Sequence, residues 1–232
     1  MRIETASENS LIVYFGDTTS PETSARVQQA SAKLKAALGD KLIDLVASYA
    51  SLLVIFDPLR CDQLEIRGTI KQILNSDTEA ATATNSQSKL VELPVYYSEE
   101  SGPELTLISE HSGLSIEEVI EIHQSMTYRV YAIGFAPGFA FLGEVDERIA
   151  MARLTTPRLK VPRGAVGIAD RQTAVYPDVS PGGWNLIGLC PTRMFNPDAD
   201  PTMPVSVGDE VRFKAISKEA FIELGGELGE YK

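Results

Sequence analysis

Cysteine is scarce in this chain: among 232 residues only Cys61 and Cys190 carry a thiol, and neither stands in a CxxC pair or a cysteine/histidine cluster. A disulfide framework and a structural zinc site both need more ligands at closer spacing, so neither is expected, and no metal ligands are assigned. This usage fits a reducing compartment. Positive charge is scarce too. Lysine and arginine number 21 against 32 aspartates and glutamates, for a formal charge of -11. Nucleic acid and anionic membrane are then repelled on average, and any anionic ligand depends on a local basic patch. No apolar run approaches the ~18 residues of a membrane span. The opening MRIETASENS also lacks the basic-then-apolar order of an export signal, so the expected location is the cytoplasm. The patterns GxxxxGK(S/T), GxSxG and HExxH are missing as well, which argues against a standard P-loop or a serine hydrolase.

What is present has ordinary globular make-up, 44% hydrophobic and 23% charged, with room for one large or two small domains. The stretch SDTEAATATNSQS, Ser76 to Ser88, offers no large apolar side chain to a core and reads as a linker. The expected domains are residues 1–85 and 86–232. In the first block NSLIVYFG reads as a strand. SPETSARVQQASAKLKAALG reads as a helix capped by Ser20, with Pro21 in its first turn and Gly39 past its end. LIDLVASYASLLVIFDP gives two short strands around a polar break. In CDQLEIRGTIKQILN, Leu64, Ile66, Ile70, Ile73 and Leu74 fall at helical spacing, interrupted by Gly68. Strand, helix, two strands, helix predicts a small α+β domain with helices on one face of an antiparallel sheet.

The second block changes texture. SGPELTLISEHSGLSIEEVIEIHQS predicts two helices meeting near Gly113, the second opened by a capping box from Ser115 to Glu118. YRVYAIGF, RGAVGIAD, TAVYPDV, WNLIGLCPT and DEVRFKAI follow as short strands between turn signals, the pattern of a mainly-β barrel or sandwich.

Four constellations carry chemical interest. GFAPGFAFLGE packs three phenylalanines, three glycines and a proline into one stretch. It reads as a shaped turn presenting Phe135 and Phe139 around Pro137 and Gly138, rather than an ordinary central strand. From Arg148 to Arg171 lie Arg148, Arg153, Arg158, Lys160, Arg163 and Arg171 against the single acid Asp170. The repeated Pro-Arg steps stiffen the backbone beside Arg158 and Arg163, whose planar forks suit carboxylate or phosphate. Surface salt bridges to acids elsewhere are the competing reading. His123 lies on the apolar stripe of its helix, four residues after Val119. It is either a candidate acid/base group or a hydrogen-bonded core histidine. His111, near a helix end, suits backbone carbonyls better. QTAVYPDVSPGGWNLIG joins Gln172, Tyr176 and the sole tryptophan, Trp184, through Gly182 and Gly183. The tryptophan either fills a core behind a hairpin turn or is displayed over a cleft.

The run YRVYAIGFAPGFAFLGEVDERIAMARLTTPRLKVPRGAVGIADRQTAVYPDVSPGGWNLIG closely resembles the signature of the bacterial 5-oxoprolinase B-subunit family, also described as allophanate hydrolase subunit 1 or sporulation-kinase-inhibitor-like proteins. The likeness covers about Leu90 to Ile216, with departures at Ala165 and Cys190. It implies a small α+β N-terminal domain followed by a cyclophilin-like β-barrel. It also implies one component, inactive alone, of an enzyme that opens the lactam of 5-oxo-L-proline to L-glutamate. The implied partners are the enzyme's cyclophilin-like C-subunit and its A-subunit, with ATP and magnesium as co-substrate of the assembled complex and none held tightly by this chain. Allophanate hydrolysis in urea degradation and inhibition of a histidine kinase are the alternatives within the same likeness.

A lactam carbonyl is a poor electrophile, so ATP coupling calls for stabilisation of negative charge on its oxygen as water attacks. On that reading Arg158 and Arg163 neutralise the charge, His123 moves a proton, and Gln172 and Tyr176 orient the amide or water. Phe135, Phe139 and Trp184 enclose the ring, with Pro137, Gly138, Gly182 and Gly183 shaping the walls. All of these groups are expected around one hollow.

Overall fold

The computed structural model describes residues 1–18, 20–75, 88–229 and 231; the expected linker, Ser88 apart, lies outside the described residues. The chain divides into two compact units, Met1–Gln87 and Ser88–Lys232.

The first unit has four antiparallel strands in the order β1 (Arg2–Ser7), β2 (Ser10–Tyr14), β4 (Ser51–Phe56), β3 (Leu42–Ala47). Among the described residues it also has two α-helices, α1 (Pro21–Leu38) and α2 (Gln63–Asn75), and a 3-10 turn, Gly39–Lys41. Strand alternation puts Leu11, Val13, Leu52, Val54 and Phe56 into the core. Helical spacing adds Val27, Ala30, Leu34 and Leu38 from α1 and Ile66 and Ile70 from α2. The Ser20 hydroxyl accepts the Thr23 N–H at 3.1 Å, the expected N-cap. Two sequence expectations change. Gly68 does not interrupt α2, because open space surrounds it and the helix runs through. The edge strand β1 is an addition to the expected elements. It buries almost nothing; only Ile3 is half-buried, so no alternation marks it.

The second unit is a nearly closed sheet. Its seven strands run in the order β12 (Asn185–Leu189), β9 (Ala165–Ala169), β10 (Gln172–Val175), β7 (Ala140–Gly143), β6 (Tyr128–Ile133), β13 (Glu210–Ala215), β5 (Leu90–Val95). The outermost strands meet just beyond β5, where Tyr96 and Leu189 exchange backbone hydrogen bonds of 2.8 and 3.0 Å. Only β5 against β13 is parallel among these ladders. All seven strands send alternate side chains into one core, including Leu93, Val211, Tyr128, Leu142, Val175, Ile168 and Ile187. Helices α3 (Leu105–Ser112) and α4 (Ile116–Ser125) add Leu105, Ile108, Val119 and Ile122 to it. The Ser115–Glu118 capping box forms as expected.

The opposite face of the sheet is small. Ala165 and Ala169 on β9 and Ala174 on β10 carry Phe139, Tyr176 and Trp184. Between the two alanines, a Cβ on Gly167 would stand 3.1 Å from that of Trp184. A ribbon of β8 (Arg158–Val161) and β11 (Ser180–Gly182) and a short helix α5 (Lys218–Glu223) complete the unit. The turn expected across Gly134–Glu144 occupies only its first half. Ala140–Gly143 is strand β7, between β6 and β10. Pro137 sits in the turn and removes no ladder donor, so a central strand can begin three residues after it.

Gly102 lies in the turn before α3, where an added Cβ would come 2.1 Å from the Ile187 carbonyl carbon. Gly102→Ala is expected to lower stability by at least about 1–3 kcal/mol, the usual cost of overpacking, since a backbone rather than a side chain must yield. The urea midpoint of the full chain measures it.

Candidate functional site

The small-residue face builds an aromatic platform. Phe139 meets Tyr176 edge-on at 5.3 Å and Trp184 edge-on at 5.6 Å, each contact adding about 0.5–1.5 kcal/mol beyond burial. Phe135 packs edge-on against Phe139 at 5.3 Å but is itself 71% exposed, with a left-handed φ of 73°. Pro137 beside it is exposed, whereas Gly138 is buried at φ 86° where a Cβ would meet that of Phe195 at 2.7 Å. The Arg153 guanidinium lies over the Trp184 ring, 5.7 Å from its centroid. Gly182 makes room for the phenol of Tyr176, whose oxygen would be 2.2 Å from a Cβ there. The Gly183 carbonyl accepts the Leu154 N–H at 2.7 Å. Burial pushes the Tyr176 phenol up to about 12, offset in part by a hydrogen bond to the Trp184 backbone and by Arg153 and Arg158 nearby. Gln172 opens β10, half-buried, on the same face as Ala174 and Tyr176 by strand alternation.

Arg158 borders this platform, paired in the ladder with Gly182. Its Nη2 donates to Glu104, largely buried with it. The other Glu104 carboxylate oxygen accepts the Leu186 N–H at 2.8 Å. The remaining guanidinium nitrogen, Nη1, is buried with no hydrogen-bond partner. Arg158 is thus a fixed cation whose unpartnered nitrogen is shielded from solvent.

His123 lies elsewhere. It is fully buried in the interior of the sheet, stacked on Phe213 at 4.7 Å. Its Nδ1 meets the Tyr97 hydroxyl at 2.8 Å and its Nε2 meets Thr173 Oγ1 at 3.0 Å. Burial pushes its titration down to about 3, so the ring is neutral and fully engaged near pH 7. The core-histidine alternative describes this geometry, and the expectation that His123 shares a hollow with Arg158 and Trp184 is not met. Strand alternation explains it: Thr173 and Ala174 point to opposite faces of β10, the first toward His123 and the second toward the platform.

The basic cluster disperses as well. Arg148 pairs with Asp146, and Arg171 with Glu144 and Glu147. These acids lie just before Arg148, so the count of residues 148–171 missed them. Arg163 is exposed in the turn between β8 and β9 and lines, with Lys160, a separate hollow of about 180 Å³. The structure therefore brings together Phe135, Phe139, Tyr176, Gly182, Trp184 and Arg158, and leaves His123 and Arg163 outside; of the rings only Phe135 is exposed, and Trp184, buried with Phe139 and Tyr176, takes the core alternative and is not displayed over a cleft. Glu104 and Asn185 escaped the sequence reading. Glu104 is 54 residues from Arg158, and no local pattern announces such a pair. Asn185, fully buried beside Trp184, donates to the Ala152 and Ile168 carbonyls at 2.9 and 3.1 Å. Among the described residues no group of three His, Cys, Asp or Glu is placed to hold a metal ion, and no helix is long and apolar enough to cross a membrane.

A small α+β unit followed in the chain by a barrel-like sheet, with this platform on the sheet's outer face, has relatives among known proteins. Residues 1–205 match the family model for the carboxyltransferase domain, subdomains C and D. The chain belongs to this family and, within it, to the 5-oxoprolinase B-subunit group. It is 35% identical to the 5-oxoprolinase B-subunit of Bacillus subtilis over 95% of both chains. Against the Escherichia coli O157:H7 protein of that name it is 43% identical, over 58% of this chain and 62% of the other. Among solved structures it resembles TTHA0988, with TM-score 0.78 and 34% identity over 90% of this chain, although it spans only 40% of that longer one. The urea amidolyase of K. lactis, at 17% identity, TM-score 0.75, 95% of this chain and 15% of that one, shares the fold.

Two outcomes follow from this geometry. Glu104→Ala strands a buried guanidinium and is expected to cost about 3–5 kcal/mol by urea unfolding, much of it restored in Glu104→Ala/Arg158→Met. His123 is neutral when folded but titrates near 6.5 when unfolded. The unfolded chain therefore takes up the extra proton, and the stability contributed by the neutral ring is complete above about pH 6.5 and lost as pH falls toward 3. Urea midpoints at descending pH should fall more steeply for the native protein than for His123→Gln.

Proposed function

We propose that this chain is the B-subunit of an ATP-dependent 5-oxoprolinase, which hydrolyses 5-oxo-L-proline to L-glutamate together with an A-subunit and a C-subunit. One observation carries the reading: the 35% identity to the Bacillus subtilis B-subunit runs over 95% of both chains, so the likeness extends far beyond one shared motif. In this reading the cyclophilin-like barrel of the family is the nearly closed seven-stranded sheet. ATP, with magnesium, is the co-substrate of the assembled complex.

The platform supplies chemistry suited to the reaction. A lactam is a flat amide ring that becomes more negative at oxygen as water attacks its carbonyl carbon. The exposed ring of Phe135 suits the flat face of the lactam and the exposed Arg153, above the buried Trp184, suits the oxygen, while Arg158 stays buried behind them as a fixed positive charge. Tyr176 stays a neutral phenol at physiological pH and acts in positioning. Proton movement falls to water or to another chain of the complex, because both ring nitrogens of His123 are engaged inside the sheet. Arg163, at the separate hollow, has no part in this step.

The test is reconstitution. Purified chain mixed with its two partner proteins should release glutamate and ADP only when 5-oxoproline and ATP are both present, and the chain alone should release neither. A complete mixture that forms but turns over neither substrate defeats the reading. Arg153→Ala, an exposed change, should alter the unfolding free energy from urea titration by no more than ~0.5 kcal/mol. It should lower kcat/KM of the mixture about tenfold or more, the scale of one lost charge contact in the transition state.

A further inference from the structure

The hollow that holds Arg163 is not part of the platform. One wall is the end of β8 and the turn after it, with Lys160 and Arg163; a second is the exit of β12, with Thr192. The others are the loop before β11, with Asp178, and the chain after α5, with Glu227. At about 180 Å³ it lies below the ~300–1,000 Å³ of drug-sized sites and suits a metabolite of few heavy atoms.

Charges of both signs line it. Elsewhere in this unit several cations find acids: Arg148 with Asp146, Arg158 with Glu104, Arg171 with Glu144, Lys218 with Glu100; Arg153 instead lies over an indole and Arg212 donates to Thr127. Around the hollow, Lys160 and Arg163 stand on one side of the charge balance and Asp178 and Glu227 on the other, and no ion pair joins any of them to a described residue. Opposite charges thus border one space without closing it. A simple anion entering there meets two carboxylates, and a simple cation meets two basic groups. A molecule carrying both signs a few bonds apart satisfies each wall.

The rim is held in shape. A Cβ on Gly229 would stand 2.1 Å from that of Pro162, and one on Gly226 would stand 2.4 Å from the Phe221 ring, so the chain after α5 lies directly against its neighbours. The thiol of Cys190 at the base is pushed up to about 11 by burial, so it remains protonated and acts as wall, not nucleophile.

We propose that this hollow binds a free α-amino acid as its zwitterion, the carboxylate on Arg163 and Lys160 and the ammonium facing Asp178 and Glu227. The inference stands on the hollow alone and does not depend on the reaction proposed above. L-Glutamate, the product in that reading, is one member of the class.

Calorimetric titration of the full chain, without its partner proteins, tests it with L-glutamate, L-alanine, glutarate and N-acetyl-L-glutamate as probes. At least one of the two amino acids should bind. Glutarate and N-acetyl-L-glutamate, which lack the ammonium, should bind at least about tenfold more weakly. Arg163→Ala and Asp178→Asn, both exposed and outside the core, should each weaken the amino acid by about tenfold or more without moving the urea midpoint. No binding of either amino acid up to about 10 mM overturns the proposal. So does equal binding of glutarate, which would mark a plain anion site, or binding that both variants leave unchanged. These outcomes read binding to one chain, so they are independent of whether the reconstituted mixture hydrolyses 5-oxoproline.

Discussion

The carboxylate of Glu104 is the constraint on which the outer face of the barrel depends. It sits where the chain enters α3, and its own backbone N–H donates to the Leu186 carbonyl while its side chain takes the Leu186 N–H. The same side chain holds Arg158 at the start of β8. One residue therefore fixes a helix entrance, a central portion of β12 and the first strand of the ribbon. A buried pair of this kind contributes little net stability against an apolar replacement, but losing one partner is costly. Its value lies in position: β8 is set, β11 pairs with β8, and Gly182 is delivered to the Tyr176 phenol.

The two faces of the sheet serve different ends. Inside, the rings of Tyr97, Tyr128 and Phe213 pack around His123, which meets the hydroxyls of Tyr97 and Thr173. Both ring nitrogens of that network are satisfied, the condition under which buried polar groups specify one arrangement of the core. Outside, alanines and a glycine leave space for Phe139, Tyr176 and Trp184 to pack edge-on against one another over the strands, with Arg153 above the indole.

How much of this can be read from the residues follows from the range of each interaction. Helix α1 is legible because its cap, its proline and its terminal glycine are all local, and the strands β2, β4, β6, β9, β12 and β13 declare themselves by apolar content. β1 and β5 do not. The first buries little, and the second, LVELPV, hides its alternation behind Glu92 and Pro94, with Leu93 and Val95 alone fully inward. The aromatic members of the platform are recognisable as neighbours, since Phe139, Tyr176 and Trp184 fall in motifs set off by turn residues. The partition of His123, Arg158 and Arg163 into three environments is not legible. It depends on which face of β10 the helix packs against, on an acid 54 residues away, and on where the chain after α5 returns.

Gly182 and Tyr176 also bear on how this surface can change over generations. The phenol fills the volume that any side chain at 182 would need. A larger residue there becomes tolerable only after the ring has been trimmed, whereas trimming the ring first merely leaves a void. Substitutions at the two sites are thus ordered in time, and a lineage that has replaced the tyrosine has a path to new shapes closed to one that keeps it.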